Sequence, residues 1–167
     1  MNYTWTPAML TDIEDMVKLC EDNFTMDNFT IDGIQLFKPE PPVYSRNLAY
    51  AIFNQSYYPG TELLTVARAD DTGQLLAYNW VRANDRIWYS DDAMINVRMV
   101  HLDMTLPAKL RVRLIKDMMT HWERMAHYTG NKVICSSTIR NDQDAFLRLH
   151  QRAGYTVRGS YAYKRIN

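Results

Sequence analysis

Four linked pieces decide the fold of this chain: Val97-Arg-Met-Val-His-Leu102, Met104-Thr-Leu-Pro-Ala-Lys-Leu-Arg-Val-Arg113, Lys132-Val-Ile-Cys-Ser-Ser137 and Leu149-His-Gln-Arg-Ala-Gly-Tyr155. The first alternates apolar and polar residues with a period of two, as a half-buried strand does. In the second, Pro107 opens a long helix that runs to Thr129. Leu110, Leu114, Ile115, Met118, Trp122 and Met125 share its apolar face, and Gly130 stands where a left-handed C-cap belongs. The third piece is a short β-branched strand. A short helix then runs from an Asn141 or Asp142 cap to Ala153, burying Phe146 and Leu149, with Gly154-Tyr155 behind it. The turn between the first strand and the long helix holds no glycine but carries three cations, Lys109, Arg111 and Arg113, with Lys116 a turn further on.

Working outward, Thr11-Asp-Ile-Glu14 has the form of a capping box, and Ile13, Met16, Val17 and Cys20 follow at helical spacing. The residues from Asn23 to Pro42 read as irregular. Pro41-Pro42 predicts the start of a second helix, to about Gln55, with Tyr44, Leu48, Ile52 and Phe53 for its apolar side. Glu62 to Arg68 predicts a strand, Asp70 to Gly73 a turn, and Gln74 to Arg82 the returning strand of a hairpin. Ala83-Asn-Asp85 predicts another turn, before a strand from Met94 to Leu102. Tyr155–Val157 and Tyr161–Ile166 predict a terminal strand pair around Gly159-Ser160. The order is β-α-α-β-β-β-α-β-α-β-β, a mixed α/β sheet with helices on its faces.

The chain's 167 residues fit one domain, 1–167, long enough for a real core. Nineteen basic and nineteen acidic residues cancel, which argues against a nucleic-acid binder that works by neutralising phosphates. No apolar run approaches the ~20 residues that span a bilayer, and Met1 to Trp5 lacks the charged-then-apolar layout of a signal peptide. Cys20 and Cys135 are far apart, each in an apolar pattern, which predicts core packing in a reducing, cytoplasmic setting. His101, His121, His127 and His150 have no cysteine or carboxylate at metal-ligand spacing, so no metal site is expected.

The order of elements resembles that of the GCN5-related N-acetyltransferase (GNAT) family over nearly the whole chain. Thr72-Gly-Gln-Leu-Leu-Ala-Tyr78 looks like the family's second hairpin. Leu149 to Tyr155 looks like its last-helix signature, in which leucine, tyrosine, three residues, glycine and an aromatic follow one another. The resemblance implies a single GNAT-like domain that moves an acetyl group from the co-substrate acetyl-coenzyme A to a primary amine of a small molecule or protein. A second copy of the chain is left open as a partner.

In such enzymes the strand before the long helix splays from its neighbour and binds the pantetheine arm, which here implies Val100, His101 and Leu102. The following turn and helix start hold the pyrophosphate through backbone N–H groups and the helix dipole. The family's turn is arginine or glutamine, two residues, glycine, one residue, then glycine or alanine. Those places fall on Leu106, Lys109 and Arg111, so both glycines are missing. Either Lys109, Arg111 and Arg113 supply charged contacts instead, beside Leu110, or they are a solvated helix face. Asn141, at the cap of the last helix, completes the coenzyme set.

The family's acid is a tyrosine four residues before the final glycine, a place held here by His150. A histidine can donate a proton near neutral pH. His101 is the best-placed base, with Asp91, Asp92, Asp103 and Glu62 as alternatives. Tyr155 reads as a packing residue, and Tyr161 and Tyr163 as further hydroxyls near the cleft. Phe24, Phe29, Phe37, Tyr44, Tyr57 and Tyr58 either line a substrate groove or pack a loop. The alternative to an enzyme is a catalytically inactive GNAT-fold protein that serves as a binding or assembly module.

Overall fold

The computed structural model describes residues 1–27, 30, 31, 34, 35, 38–138, 143–159 and 164. Five strands form one sheet in the order β1-β4-β5-β6-β7: β1 (Tyr3–Pro7), β4 (Glu62–Ala69), β5 (Leu75–Arg86), β6 (Ala93–Leu102) and β7 (Val133–Ser136). Neighbours are antiparallel except β6 and β7, which run parallel across the long helix that joins them. Helices α1 (Ile13–Asp27) and α2 (Pro41–Tyr57) precede β4, α3 (Ala108–Thr129) follows β6, and α4 (Gln143–Arg152) follows β7.

Both faces of the sheet are covered, which is why β4 and β5 read as apolar runs rather than alternating ones. On one face α3 lays Leu114, Met118, Trp122 and Met125 against Ala67, Ala77, Val81 and Ile95. On the other, α1 and α2 pack Met16, Cys20, Tyr44 and Leu48 against Leu64, Val66 and Tyr78. The Trp122 ring is fully buried, and its indole N–H needs an acceptor there. Asn79 Oδ1 provides one at 3.0 Å, and the same amide donates to Thr65 Oγ1 at 2.6 Å. At the edge, Tyr3 and Trp5 of β1 both donate to the Asp117 carboxylate of α3, at 2.6 and 3.2 Å.

Several expectations are corrected. The first helix starts through Asp12, whose carboxylate accepts the Met9 amide at 2.8 Å and opens a 3-10 turn over Leu10–Asp12. Thr11 makes no box with Glu14 because the turn begins before it. Asp12 and Asp15 also hold Arg68 of β4, at 2.7 and 2.8 Å. The region after Asn23 holds regular elements: α1 continues to Asp27, and β2 (Thr30–Ile31) pairs antiparallel with β3 (Ile34–Gln35). Ala83-Asn-Asp85 is no turn. Strand β5 continues to Arg86 and absorbs the extra residue as a bulge, with Asn84 at φ 57°. Asparagine is among the few side chains that tolerate that conformation. Phe53 and Cys135 are exposed rather than packed in the core, whereas Cys20 is buried. Tyr155–Val157 is not in a strand, and Tyr161–Ile166, apart from Lys164, lies outside the described residues. No helix among the described residues is long and apolar enough to cross a membrane.

Candidate functional site

A second bulge, in β6, shapes the site. Trp80 pairs with Met99 while the next residue, Val81, pairs with Val97, so Arg98 has no partner across the strand. A bulge bends and twists its strand. The parallel pairing with β7 ends at the same point, Val97 opposite Ser136, although β6 runs on to Leu102. The two strands part there, and a cavity of about 740 Å³ opens between them. Its floor is Val97 to Leu102, and Ser137 and Thr138 stand where β7 has turned away.

Two helix stripes wall it. Ala108, Arg111, Val112 and Ile115 of α3 line the cavity, and so do Ala145, Arg148, Leu149 and Arg152 of α4. Both sets follow the i, i+3, i+4, i+7 spacing of one helical face. Four arginines (98, 111, 148 and 152) and no aspartate or glutamate are among the described lining residues. The described lining is therefore cationic. Arg111 stands out within it. It is half-buried, its Nε is buried without a hydrogen-bond partner, and its Nη1 reaches only the Met104 sulfur at 3.7 Å. A half-buried guanidinium whose buried N–H has no acceptor is costly unless a ligand completes it.

The α3 turn spends most of its own donors. Asp103 N–H donates to Leu76 O, Leu106 N–H to Asp103 O, and Thr105 N–H and Oγ1 to the Asp103 carboxylate at 2.8 and 2.6 Å. Pro107 is the N-cap and has no N–H, and its carbonyl already accepts from Leu110 and Arg111. Helix geometry leaves the amides of Ala108 and Lys109 as the donors at the positive end of the dipole. These two amides, on a turn without glycine, and the arginines of both walls give this end of the cavity its positive charge.

Of the coenzyme candidates, Val100, His101, Leu102 and Arg111 line the cavity together. Lys109, Leu110 and Arg113 do not. Helical residues advance by about 100° each, so positions 109 and 113 share a face roughly opposite that of 111. Arg113 is accordingly spent on the N-terminus: its Nε donates to Tyr3 Oη at 2.9 Å, its Nη2 to Met1 O at 3.1 Å, and its guanidinium covers the Tyr3 ring. Lys109 is exposed, and Leu110 packs toward the Trp122 core. Asn141 lies outside the described residues.

His101 is buried and faces the cavity floor. Asn23 Nδ2 lies 3.0 Å from the Leu102 carbonyl, which can only accept, so that atom is the amide nitrogen. It also lies 3.1 Å from His101 Nδ1, which therefore accepts, and the neutral ring carries its proton on Nε2. The ring is tilted against Tyr78 at 5.0 Å, whose hydroxyl meets that of Tyr44 at 2.9 Å. Burial pushes the Tyr78 and Tyr44 phenols up, and the adjacent Cys20 thiol to about 11, so all three stay neutral.

His150 is arranged the opposite way. Its Nδ1 donates to Phe146 O at 2.9 Å, so its Nε2 accepts from Ser136 Oγ at 3.0 Å. Burial lowers its pKa, and the ring is enclosed by Trp122, Phe146 and Tyr155. It lies off the Arg148–Arg152 stripe and does not line the cavity. In this neutral tautomer the nitrogen facing β7 has no proton to give. Tyr155 packs on it as expected of a core aromatic, its phenol pushed up to about 12 by burial.

Among the alternative bases, Glu62 is buried on β4, Asp103 holds the α3 turn, and Asp91 and Asp92 are exposed between β5 and β6. Phe24 lines the cavity, Tyr44 packs in the core and Tyr57 and Tyr58 are exposed. Phe29 and Phe37 lie outside the described residues. Sequence reading missed Arg98, Arg148, Arg152 and Asn23. The Arg148–Arg152 spacing was a usable signal, since i and i+4 share a helical face.

No protein-family model and no curated protein matches the sequence. Solved structures do match in fold. An aminoglycoside antibiotic 6'-N-acetyltransferase from Acinetobacter baumannii superposes with a TM-score of 0.66 at 15% identity, covering 99% of this chain and 100% of that one. A transcriptional regulator from Bacillus halodurans gives 0.70 at 16% identity, covering 99% and 100%. A predicted acetyltransferase from Clostridium acetobutylicum, solved with acetyl-CoA, gives 0.67 at 11% identity, covering 98% and 96%.

Proposed function

We propose that this chain, which has the fold of the GCN5-related N-acetyltransferases, moves an acetyl group from acetyl-coenzyme A to the primary amine of a small molecule. One observation carries the proposal: β6 parts from β7 into a cavity whose α3 and α4 walls present Arg111, Arg148 and Arg152 and no described carboxylate. The fold likeness supports it, and the structure from Clostridium acetobutylicum is of a protein with acetyl-CoA.

In this reading the three arginines and the Ala108 and Lys109 amides hold the coenzyme's phosphates, and the open edge of Arg98–Leu102 receives the pantetheine amides. The amine attacks the thioester carbonyl carbon, the C–S bond breaks, and the sulfur leaves with the bonding pair. The attacking nitrogen gives its proton to solvent water, and the thiolate takes one from the protein. His101 is the group we assign to proton handling at the floor. Its Nε2 bears the proton while Asn23 fixes the ring, so it is set to donate to the leaving sulfur. His150 is assigned to holding α4 against β7.

Calorimetric titration of acetyl-coenzyme A tests this. Micromolar binding, weakened by Arg111→Glu and by Arg148→Glu, is the expected result, with thiol release on addition of a suitable amine. A ligand that binds only the native state must raise its stability, so no heat and no rise in Tm at millimolar coenzyme would sink the proposal. The second reading, a binding module without catalysis, draws on the glycine-free turn and the Asp103 carboxylate inside it. It predicts neither coenzyme binding nor turnover on any amine.

A further inference from the structure

Among the described lining residues, Arg98 is the one arginine that stands away from the helix walls. It sits at the parting of β6 and β7, whereas Arg111 lies beyond the far end of β6. Arg98 and Leu102 are four steps apart along the strand, about 13 Å at ~3.3 Å per residue. A coenzyme whose phosphates occupy the α3 end brings its thioester to the other end of the floor, and an acetyl thioester has no charge. An arginine there has no coenzyme anion to meet.

Its neighbours define what it could meet. Glu62, Arg82 and Asn96 are direct partners across β4, β5 and β6, so their side chains share one sheet face. Asn96 Nδ2 donates to Asp85 Oδ2 at 2.6 Å, and Arg98 Nη2 lies 3.6 Å from the same oxygen. Arg82 Nε lies 3.9 Å from Glu62 Oε1, while the other Glu62 oxygen accepts from Trp80 Nε1 at 2.7 Å. The patch thus alternates two carboxylates with two guanidiniums and carries no net charge. Both ion pairs are loose, and the Arg98 and Arg82 side chains are 40% and 53% exposed. Pairs this long, with guanidiniums this exposed, hold their partners weakly. They are available for exchange with a ligand.

We infer that the acceptor amine also carries a carboxylate, which Arg98 binds while the Asp85 side receives the ammonium group, as a free amino acid would provide. This rests on the acetyltransferase reading. A zwitterion can exchange with the Arg98–Asp85 pair, charge for charge, and its ammonium group sheds a proton to solvent before the nitrogen attacks. A plain alkylammonium ion would satisfy Asp85 and leave Arg98 facing a second cation, so the patch selects against it.

The test compares matched amines with acetyl-coenzyme A: phenylalanine with phenethylamine, lysine with 1,5-diaminopentane, and histidine with histamine. The readouts are kcat/KM from thiol release and, independently of turnover, the rise in Tm of the coenzyme-loaded protein. Amino acids are expected to be preferred on the order of 10- to 100-fold, the range of a charge-assisted hydrogen bond. Arg98→Gln should collapse that ratio and Arg98→Lys should restore part of it. Equal use of the matched amines, a ratio indifferent to Arg98→Gln, or no stabilisation by any amino acid would each overturn the inference. A succinyl-coenzyme A arm locates the carboxylate. Preference for succinyl over acetyl transfer, lost in Arg98→Gln, would put it on the acyl group and overturn the assignment to the acceptor. Acetyl-coenzyme A binding is measured first on the same protein. Its absence removes the acetyltransferase reading and this inference with it, whereas intact binding with no amino-acid preference removes this inference alone.

Discussion

Replacing Arg111 by methionine should move stability and affinity in opposite directions. In the unliganded protein this guanidinium is half-buried, with a buried Nε that has no partner and a thioether as its nearest acceptor. Such an unmet donor costs about 1–3 kcal/mol, and methionine keeps much of the side-chain volume while removing the donor and the charge. Arg111→Met is therefore expected to leave the free protein as stable as before or to stabilise it by up to about 1 kcal/mol. For a chain of this size that is a rise in Tm of about 2–4 °C. Binding should suffer by the worth of one hydrogen bond to a charged group, about 1.5–3 kcal/mol, or roughly 10- to 150-fold in Kd for acetyl-coenzyme A. The wild-type affinity should also fall more steeply with ionic strength than that of the variant, since one screened charge pair has gone. Thermal melts with and without coenzyme, together with calorimetry at two salt concentrations, measure all of this on two proteins. A variant that melts several degrees lower and binds coenzyme with unaltered Kd would refute the reasoning, because Arg111 would then be a structural residue.

Three other predictions are independent of any ligand. His150 and His121 both have lowered pKa values through burial. The unfolded chain therefore takes up protons first, and stability should fall as pH drops below about 6.5. The fall should level off once pH passes the folded-state values, at ~1.4 kcal/mol per unit of depression. Urea melts from pH 8 to 5 measure it, and His150→Gln should flatten part of the slope. Iodoacetamide on the native protein should label the exposed Cys135 and spare Cys20, whose thiol is buried and pushed up to about 11; mass spectrometry of tryptic peptides reads the outcome. Gly130 closes α3 at φ 71°, and a Cβ there would meet nothing within 4 Å. Gly130→Ala should thus cost only the backbone strain, about 1–2 kcal/mol in denaturant melts, with Gly130→Asn recovering part of it.

Reading the sequence located the elements well wherever the period was long and unmixed. Helix α3 is the example: six apolar residues on one stripe and a glycine in the left-handed region bound it to within a residue. What escaped was set by register, which no local pattern reports. Both bulges in the β5–β6 pair add one residue to one strand, and only the partner strand's position makes them visible. One of them turned a predicted turn at Ala83–Asp85 into continuous strand. The other placed Arg98 where β6 parts from β7, although it reads as an ordinary polar position in an alternating strand. The cations of the α3 turn were legible as a group yet cannot act as one, since consecutive odd positions advance by about 200° around the helix. Lys109 and Arg113 had to leave the face that Arg111 occupies. On the proposed reading, the function of the missing glycines is relocated rather than lost. A wall that cannot bring its backbone close to an anion can still meet it with guanidiniums, and α3 and α4 present theirs at matching places, Arg111 and Arg148, on two stripes of identical spacing. Charge reversal at either place should therefore weaken coenzyme binding more than reversal at Lys109 or Arg113, whose side chains point elsewhere.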